Sequence, residues 1–194
     1  MKASDVLRFQ LNGSLNLVAE RIEAISEGEW NRRAVPGTNK LGFILWHCSR
    51  IIDWTVHSAL QGAAEVADGE PWVRLFPRHA YYGAGIAIEV ADSVPDSVTR
   101  AETASYLADV RKLTFQWFDE QTDSTLDGAT PLKRHQAAHP GYLDPPVWAE
   151  VASLDGLPAW QVMARPAISH VRIHIGEYDT LLLALRAIAP GVEA

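Results

Sequence analysis

The sequence predicts an all-α protein, a four-helix bundle with long crossover connections. Four long stretches carry apolar residues at steps of three and four, which is the spacing of an amphipathic helix. Two of the connections are long and rich in Gly, Pro and aromatic residues, as crossovers between helices require. The pattern also allows a small hairpin before the last helix.

The first two helices are defined by their apolar stripes and by the turn residues that interrupt them. Ser4 is the predicted N-cap of helix one, whose stripe runs from Leu7 to Ile25 and stops before Gly28. A polar link that contains "VPGTNK" follows. The second stripe begins at Leu41 and reaches Gly62, so we expect helix two to span this range.

The remaining helices follow two irregular segments. Residues 63–95 show no sustained period, which predicts a loop with at most a short helical piece. Thr99 and Glu102 resemble a capping box at the start of helix three, which continues to Gln121. Residues 123–165 are rich in Pro and Gly, with the hairpin expected around Asp155-Gly156, and so long a segment is typical of a functional cover. Pro166 then starts or kinks the last helix.

Composition restricts the class of protein. The 194 residues carry a formal charge of −7, which disfavours nucleic acids and anionic membranes as partners. We expect a single domain over residues 1–194, in the cytoplasm, because the chain has no apolar run of about 20 residues and no signal peptide. Cys48 is the only cysteine, so a metal would be held by nitrogen and oxygen.

The last helix carries polar residues on the stripe that it should bury. At about 100° per residue, His170 and Glu177 lie within about 60° of His174, on the same face as Leu181. Two histidines four residues apart on a helix can bind one metal ion. The alternative is a pair of partly buried histidines whose nitrogens bond a backbone carbonyl or Glu177. The pair by itself leaves both interpretations open.

Helix two offers a third histidine. His47 lies about 60° from Ile44, the centre of the stripe, and therefore borders the core. The same arithmetic directs Asp53 and His57 to solvent, and it makes Cys48 a small core residue without basic neighbours.

A rival pair of histidines lies in the long connection. His135 and His139 are also four residues apart, but they lie between prolines with little apolar support, which favours a loop over a helix. His79 lies beside Arg78 in another loop and is a weaker candidate still.

Two of these motifs resemble a known family. The segment "LGFILWHCSRIIDW" in helix two and "HVRIHIGE" in the last helix are similar to the motifs of the DinB-like (YfiT-like) superfamily of metal-binding four-helix bundles, and the likeness extends over nearly the whole chain. The resemblance implies a divalent metal held by His47, His170 and His174, and a bundle that pairs as a homodimer. Some relatives are transferases or isomerases that use a low-molecular-weight thiol such as mycothiol or bacillithiol, and many have no known reaction.

Three neutral imidazoles leave a coordination position open, as in catalytic metal sites. An entering thiol would be favoured as its thiolate, whereas a water molecule would be activated for hydrolysis. We expect thiol transfer to a small electrophilic substrate, on the resemblance and because no carboxylate lies between the two histidines of the last helix. Zinc or nickel is expected first, and iron or manganese is also compatible.

Two roles remain open for the residues around the expected metal. Glu177 either accepts an imidazole N–H or is a helix-surface glutamate. Aromatic residues of the connections either line a pocket over the metal or pack the ends of the bundle, and these are Tyr81, Tyr82, Trp148 and Trp160. A non-enzymatic metal-binding or dimeric interaction protein is the third functional alternative, beside the transferase and the metal-dependent hydrolase.

Overall fold

The structure is a computed structural model that describes residues 2–188, so residue 1 and residues 189–194 of the expected 1–194 domain lie outside it. Four long helices form the bundle: α1 (Ala3–Ala24), α2 (Leu41–Asp53), α3 (Arg100–Phe118) and α4 (Val171–Ile188). A π-helical stretch, Trp54–Leu60, extends α2, and another, Met163–His170, leads into α4. Over the described range the chain forms no β-strand. The all-α fold is therefore confirmed.

Shorter helices fill the connections. The α-helical ones are Glu27–Trp30, Trp72–Leu75, Ile88–Ser97, Asp123–Leu126, Leu132–His135, Pro145–Val151 and Ala159–Val162, and the 3₁₀ turns are Val66–Asp68, Gln136–Ala138, Pro140–Leu143 and Ala152–Leu154. Among residues 2–188, no helix is both long enough and apolar enough to cross a membrane.

One of the shorter helices is longer than the sequence indicated. Ile88–Ser97 is a helix of 10 residues that begins inside the 63–95 segment, which was expected to be loop with a short helical piece, and ends two residues beyond it. Its buried residues include Ala91 and Val94, which pack in a small second core beside Phe43 of α2. The stripe is too short to show a period, and Pro95 inside the helix obscures it further.

Helix α2 lies at the centre of the molecule. Both α1 and α3 pack against it, and so does α4, while the connections cover its remaining face. Every residue from Leu41 to Ala59 is buried. A helix surrounded in this way has no solvent face, so the polar residues on it need partners within the protein.

The prediction that Asp53 and His57 face solvent is therefore wrong. Asp53 is 0% exposed and His57 is 7% exposed. The face of helix two that carries these residues would meet water in an isolated bundle, but the 63–69 segment covers it. Backbone N–H groups of Val66 and Ala67 donate to the Asp53 carboxylate at 3.0 and 3.1 Å.

The hairpin expected around Asp155-Gly156 is also wrong. This segment is the helix Pro145–Val151 followed by the 3₁₀ turn Ala152–Leu154, and Gly156 ends it with a φ of +77°. Val147, Val151 and Leu154 are buried at steps of four and three, which is a helical period rather than the alternation of a strand. An isolated bridge between Ala129 and Pro158 is the β-pairing found in the described residues.

Helix starts were predicted with mixed success. The capping box of α3 is confirmed, because the Thr99 hydroxyl accepts from the Glu102 N–H at 3.2 Å and the Glu102 carboxylate accepts from the Thr99 N–H at 2.8 Å. Ser4 is not the N-cap of α1, which begins at Ala3. The carboxylate of Asp123, 119 residues along the chain, accepts from the Ser4 N–H at 2.9 Å.

The last helical region begins before the expected proline. A helical turn, Ala159–Val162, precedes the π-helical stretch that contains Pro166. Proline has no N–H and its ring clashes with the carbonyl four residues earlier, and a widened π turn relieves both problems. His170 ends this stretch, directly before α4. The proline therefore widens the helix next to a candidate site residue.

Two glycines of the bundle helices should respond to alanine in opposite directions. A Cβ at Gly42 would lie 2.5 Å from the indole ring of the buried Trp30, so we expect Gly42→Ala to lower the free energy of unfolding by about 1–3 kcal/mol. A Cβ at Gly176, in α4, would meet nothing within 4 Å, so Gly176→Ala should raise it by about 0.5–1 kcal/mol. Urea denaturation measures both; an unchanged value for Gly42→Ala would contradict the packing described.

Candidate metal centre

Three histidines converge where α2 meets the start of α4. His47 comes from α2, His170 ends the π-helical stretch and His174 lies in the first turn of α4. One ligand atom from each lies within 4.8 Å of the other two. The Nε2 atoms of His47 and His170 are 3.1 Å apart, and the ring centroids of His170 and His174 are separated by 4.4 Å. The structure thus brings together the three residues singled out from the sequence.

A backbone carbonyl determines which nitrogen of His47 faces this cluster. Nδ1 of His47 lies 2.7 Å from the carbonyl oxygen of Tyr82. Because a carbonyl only accepts, Nδ1 carries the proton and donates it, and Nε2 presents its lone pair toward His170. Histidines that bind a metal through one ring nitrogen almost always donate the N–H of the other nitrogen to an acceptor of this kind.

The backbone approaches His47 closely at the next residue. Gly83 has a φ of +94°, and a Cβ there would lie 2.4 Å from Nδ1 of His47. Only glycine fits both the left-handed backbone and the contact. Neither the Tyr82 carbonyl nor Gly83 was identified from the sequence; the glycines in "YYGAG" were the available signal, but their meaning depends on a contact between distant segments.

His174 is oriented by a carboxylate instead. Its Nδ1 lies 2.7 Å from Oε2 of Glu177, one turn further along α4. Nδ1 therefore donates to Glu177, and Nε2 of His174 is left for another partner. Of the two roles considered for Glu177, its position in the structure is that of an acceptor for an imidazole N–H.

Burial keeps two of the three imidazoles, those of His47 and His170, neutral. Desolvation, and then the charges that His174 and His170 would carry, hold the pKa of His47 well below its ordinary value. Burial lowers the pKa of His170 to about 4, with His174 as the second cause. Both rings are therefore uncharged at neutral pH, and their lone pairs are available to a cation.

The donor set fits a divalent metal ion. Zinc–imidazole bonds of about 2.0–2.1 Å place two ligand nitrogens about 3.3 Å apart at a tetrahedral angle and about 2.9 Å apart at a right angle. The 3.1 Å between His47 Nε2 and His170 Nε2 lies between these values. Imidazole nitrogens suit several first-row metals, so the three histidines can hold a divalent ion without specifying which one.

The other candidate residues have different partners. Nδ1 of His135 lies 2.7 Å from the carbonyl of Ala59, and Nε2 of His139 lies 2.9 Å from Asp68. Cys48 is 0% exposed, as the sequence predicted, and burial raises the pKa of its thiol. Among the described residues, the histidines that stay outside the metal-ligand cluster are His57, His79, His135 and His139.

A cleft of about 270 Å³ opens beside His170. Ile51 and Leu154 give it apolar walls, and Glu150, Arg165 and Ser169 give it polar ones. Of the three histidines, His170 borders this cleft.

Of the four aromatic residues considered in the connections, Tyr82 lines this cleft. Tyr81 lines a larger cleft of about 430 Å³, which none of the three histidines borders. Trp148 packs against the core, and Trp160 is 40% exposed. The aromatic residues of the connections therefore have different roles, and one of them, Tyr82, borders the cleft beside His170.

Comparison with known proteins identifies the family to which the chain belongs. The model of the DinB superfamily matches residues 10–152, which is more than half of the chain. The match includes the greater part of α1, all of α2 with His47, and all of α3, and it ends before His170 and His174. No curated protein matches the chain. Because a family model covers most of its length, the chain belongs to the DinB superfamily.

Proposed function

We propose that the protein is a metal-dependent enzyme that adds or transfers a low-molecular-weight thiol to a small electrophilic substrate. The observation that carries the proposal is a cluster of three histidines, with a cleft beside one of them, His170. Three protein ligands are typical of catalytic metal sites, which keep a position for substrate, whereas structural sites use four. Zinc or nickel is the proposed ion.

The residues of the chain would prepare the site for this chemistry. The Tyr82 carbonyl and the Glu177 carboxylate hold the rings of His47 and His174, so that their Nε2 atoms point into the cluster. When bound, the ion would favour the thiolate form of an entering thiol, which is the nucleophilic form.

The cleft beside His170 would bind the substrates. Arg165 and Ser169 lie on the π-helical stretch that carries His170, and both line the cleft and are exposed. A guanidinium group there can bind an anionic group of the thiol or of the electrophile. The apolar walls formed by Ile51 and Leu154 would bury the remaining part of the substrate and exclude water.

The same arrangement favours thiol transfer over hydrolysis. Hydrolysis at a zinc site of this kind uses a nearby carboxylate as general base, as in the helical zinc proteases. Glu177 is engaged with Nδ1 of His174 at 2.7 Å, on the far side of the ring from the Nε2 atom that would bind the ion. A thiolate attack needs no such base, because the thiol would release its proton to solvent on binding the ion. The carbon–sulfur bond would then form as the leaving group, or the oxygen of an opened epoxide, takes the electron pair of the bond that breaks.

Metal content tests the ligand set. We expect His174→Ala to lose the divalent ion during dialysis against a weak chelator, because two imidazoles hold it less tightly than three. His135→Ala is the matched control, since it belongs to the rival pair and should keep the wild-type stoichiometry. Elemental analysis measures both proteins; retention of the ion by His174→Ala would contradict the proposal, and loss from His135→Ala would favour the rival pair.

Thermal melts test whether the ion satisfies the buried histidines. Buried polar groups without partners cost about 1–3 kcal/mol each, so an ion that bonds them should stabilise the fold. At 1,000 times its dissociation constant, a ligand that binds only the folded state adds about 4 kcal/mol. We expect metal-loaded protein to melt well above metal-free protein, and the double variant His170→Leu plus His174→Leu to be insensitive to metal. Equal melting temperatures under saturating metal would reject this role.

Turnover assays test the reaction class. A panel of bacterial thiols combined with epoxide, haloalkyl and maleyl-type electrophiles should show metal-dependent product formation with at least one pair. In cobalt-substituted protein, the same thiol should shift the visible spectrum, because it enters the coordination sphere. Ester or amide cleavage without a thiol would point to a hydrolase, and a metal-loaded protein that binds no thiol would point to a non-catalytic role.

A further inference from the structure

Arg50 is a buried arginine that lies one turn beyond His47 on α2. Its hydrogen bonds connect it to the turn that contacts His47, one of the three histidines of the candidate metal centre. Its side chain is 3% exposed, and all five of its N–H groups have partners. Nη1 donates to Asp53 and to the Tyr106 hydroxyl, each at 2.9 Å. Nη2 donates to Glu65 at 2.6 Å and to the Tyr142 hydroxyl at 3.2 Å.

The fifth bond of Arg50 reaches the turn that orients His47. Nε donates to the carbonyl of Tyr81 at 3.2 Å, and the next carbonyl along the chain, that of Tyr82, accepts from His47 Nδ1 at 2.7 Å. The two consecutive carbonyls thus bind two residues that lie one turn apart on α2. The guanidinium and the imidazole hold the same turn from the same helix.

This turn needs to be held. Its residues run from Ala80 to Gly83, closed by a bond from the Gly83 N–H to the Ala80 carbonyl at 2.8 Å. Tyr81 has a φ of +46°, a left-handed conformation that a side chain with a Cβ rarely adopts. Strained backbone of this kind persists only where surrounding contacts determine it. The bond from Arg50 to Tyr81 is such a contact.

The arginine is itself fixed by groups from separate segments. Asp53 accepts from the backbone of Val66 and Ala67 and from the Tyr106 hydroxyl of α3. Glu65 accepts from Tyr142, in the connection before α4, at 3.0 Å. The buried carboxylates both fix the guanidinium and balance its charge, so it has one available position.

From these contacts we infer that Arg50 is a positioning residue for the metal centre. Through the Tyr81–Tyr82 turn it holds the carbonyl that keeps His47 in its Nδ1–H tautomer and aims Nε2 at the ion. The inference rests on the proposed metal site, but it concerns a residue that touches neither the ion nor the cleft beside His170. Loss of the guanidinium group should release the 80–83 turn, and the Tyr82 carbonyl would then no longer fix the ring of His47.

The test replaces Arg50 with lysine, which keeps the charge but has three donors on one nitrogen. Lysine therefore cannot reproduce the five hydrogen bonds that the planar guanidinium group makes. We expect the dissociation constant for zinc, measured by competition with a chelator, to rise about 10- to 100-fold, the range typical for partners that orient metal ligands. In metal-free protein, ¹H–¹⁵N spectra of the histidine rings should show His47 as the Nδ1–H tautomer in the wild type and as a mixture of tautomers in Arg50→Lys.

Two control variants separate positioning from general destabilisation. Arg111→Lys alters an arginine of α3 that bonds Asn12 and Asn16 of α1, and it should bind zinc like the wild type. Leu15→Ala opens a cavity at a fully buried position of α1, so it should lower the melting temperature while leaving zinc affinity unchanged. If Arg50→Lys does not fold, Tyr142→Phe removes one hydroxyl of the network and should weaken zinc binding in the same direction.

The outcomes distinguish this inference from the proposed function. Wild-type zinc affinity together with an unchanged His47 tautomer in Arg50→Lys, or in Tyr142→Phe where that variant stands in, would overturn the positioning role. If the wild type itself binds no divalent ion, the proposed function fails, and the tautomer spectra of the metal-free proteins still decide whether Arg50 orients His47. An equal loss of affinity in Leu15→Ala would assign the effect to stability and would also overturn the inference.

Discussion

The structure depends on the complete burial of α2. A helix that is enclosed on every side needs partners inside the protein for its polar groups, since an unpaired one costs about 1–3 kcal/mol. Among the described residues, Nε1 of Trp46 is a buried polar atom of α2 that has no partner. His47 and Arg50 meet this requirement through two neighbouring carbonyls of the 80–83 turn. Asp53 meets it through the backbone of the 63–69 segment. The irregular connections are therefore arranged around the polar residues of one helix.

The sequence predicted what depends on local periodicity. The four apolar stripes indicated the bundle, and the capping box at Thr99 located the start of α3 to the residue. His170 and His174 were found for the same reason, because two imidazoles on an apolar stripe conflict with the pattern around them. His47 required the resemblance to a family in addition, since its wheel position only bordered the core.

The sequence did not predict what depends on contacts between distant segments. Asp53 and His57 were assigned to solvent because a helical wheel describes one helix and contains no information about which connection covers it. The Tyr82 carbonyl could not be found at all, since any residue type supplies a carbonyl and only the fold places it 2.7 Å from His47. The helix at Pro145–Val151 was missed because its buried valines were too few to distinguish the two periods.

The distance along the chain between His47 and His170 affects how the protein folds and unfolds. These residues are separated by 123 positions, so their rings meet only after α2 and the last helical region have docked. Contacts of such large sequence separation form late, after the entropy of closing a long loop has been lost. An ion that joins them would then act mainly on the native state and slow unfolding, with little effect on the folding rate. The metal centre would thus slow the separation of the second helix from the last.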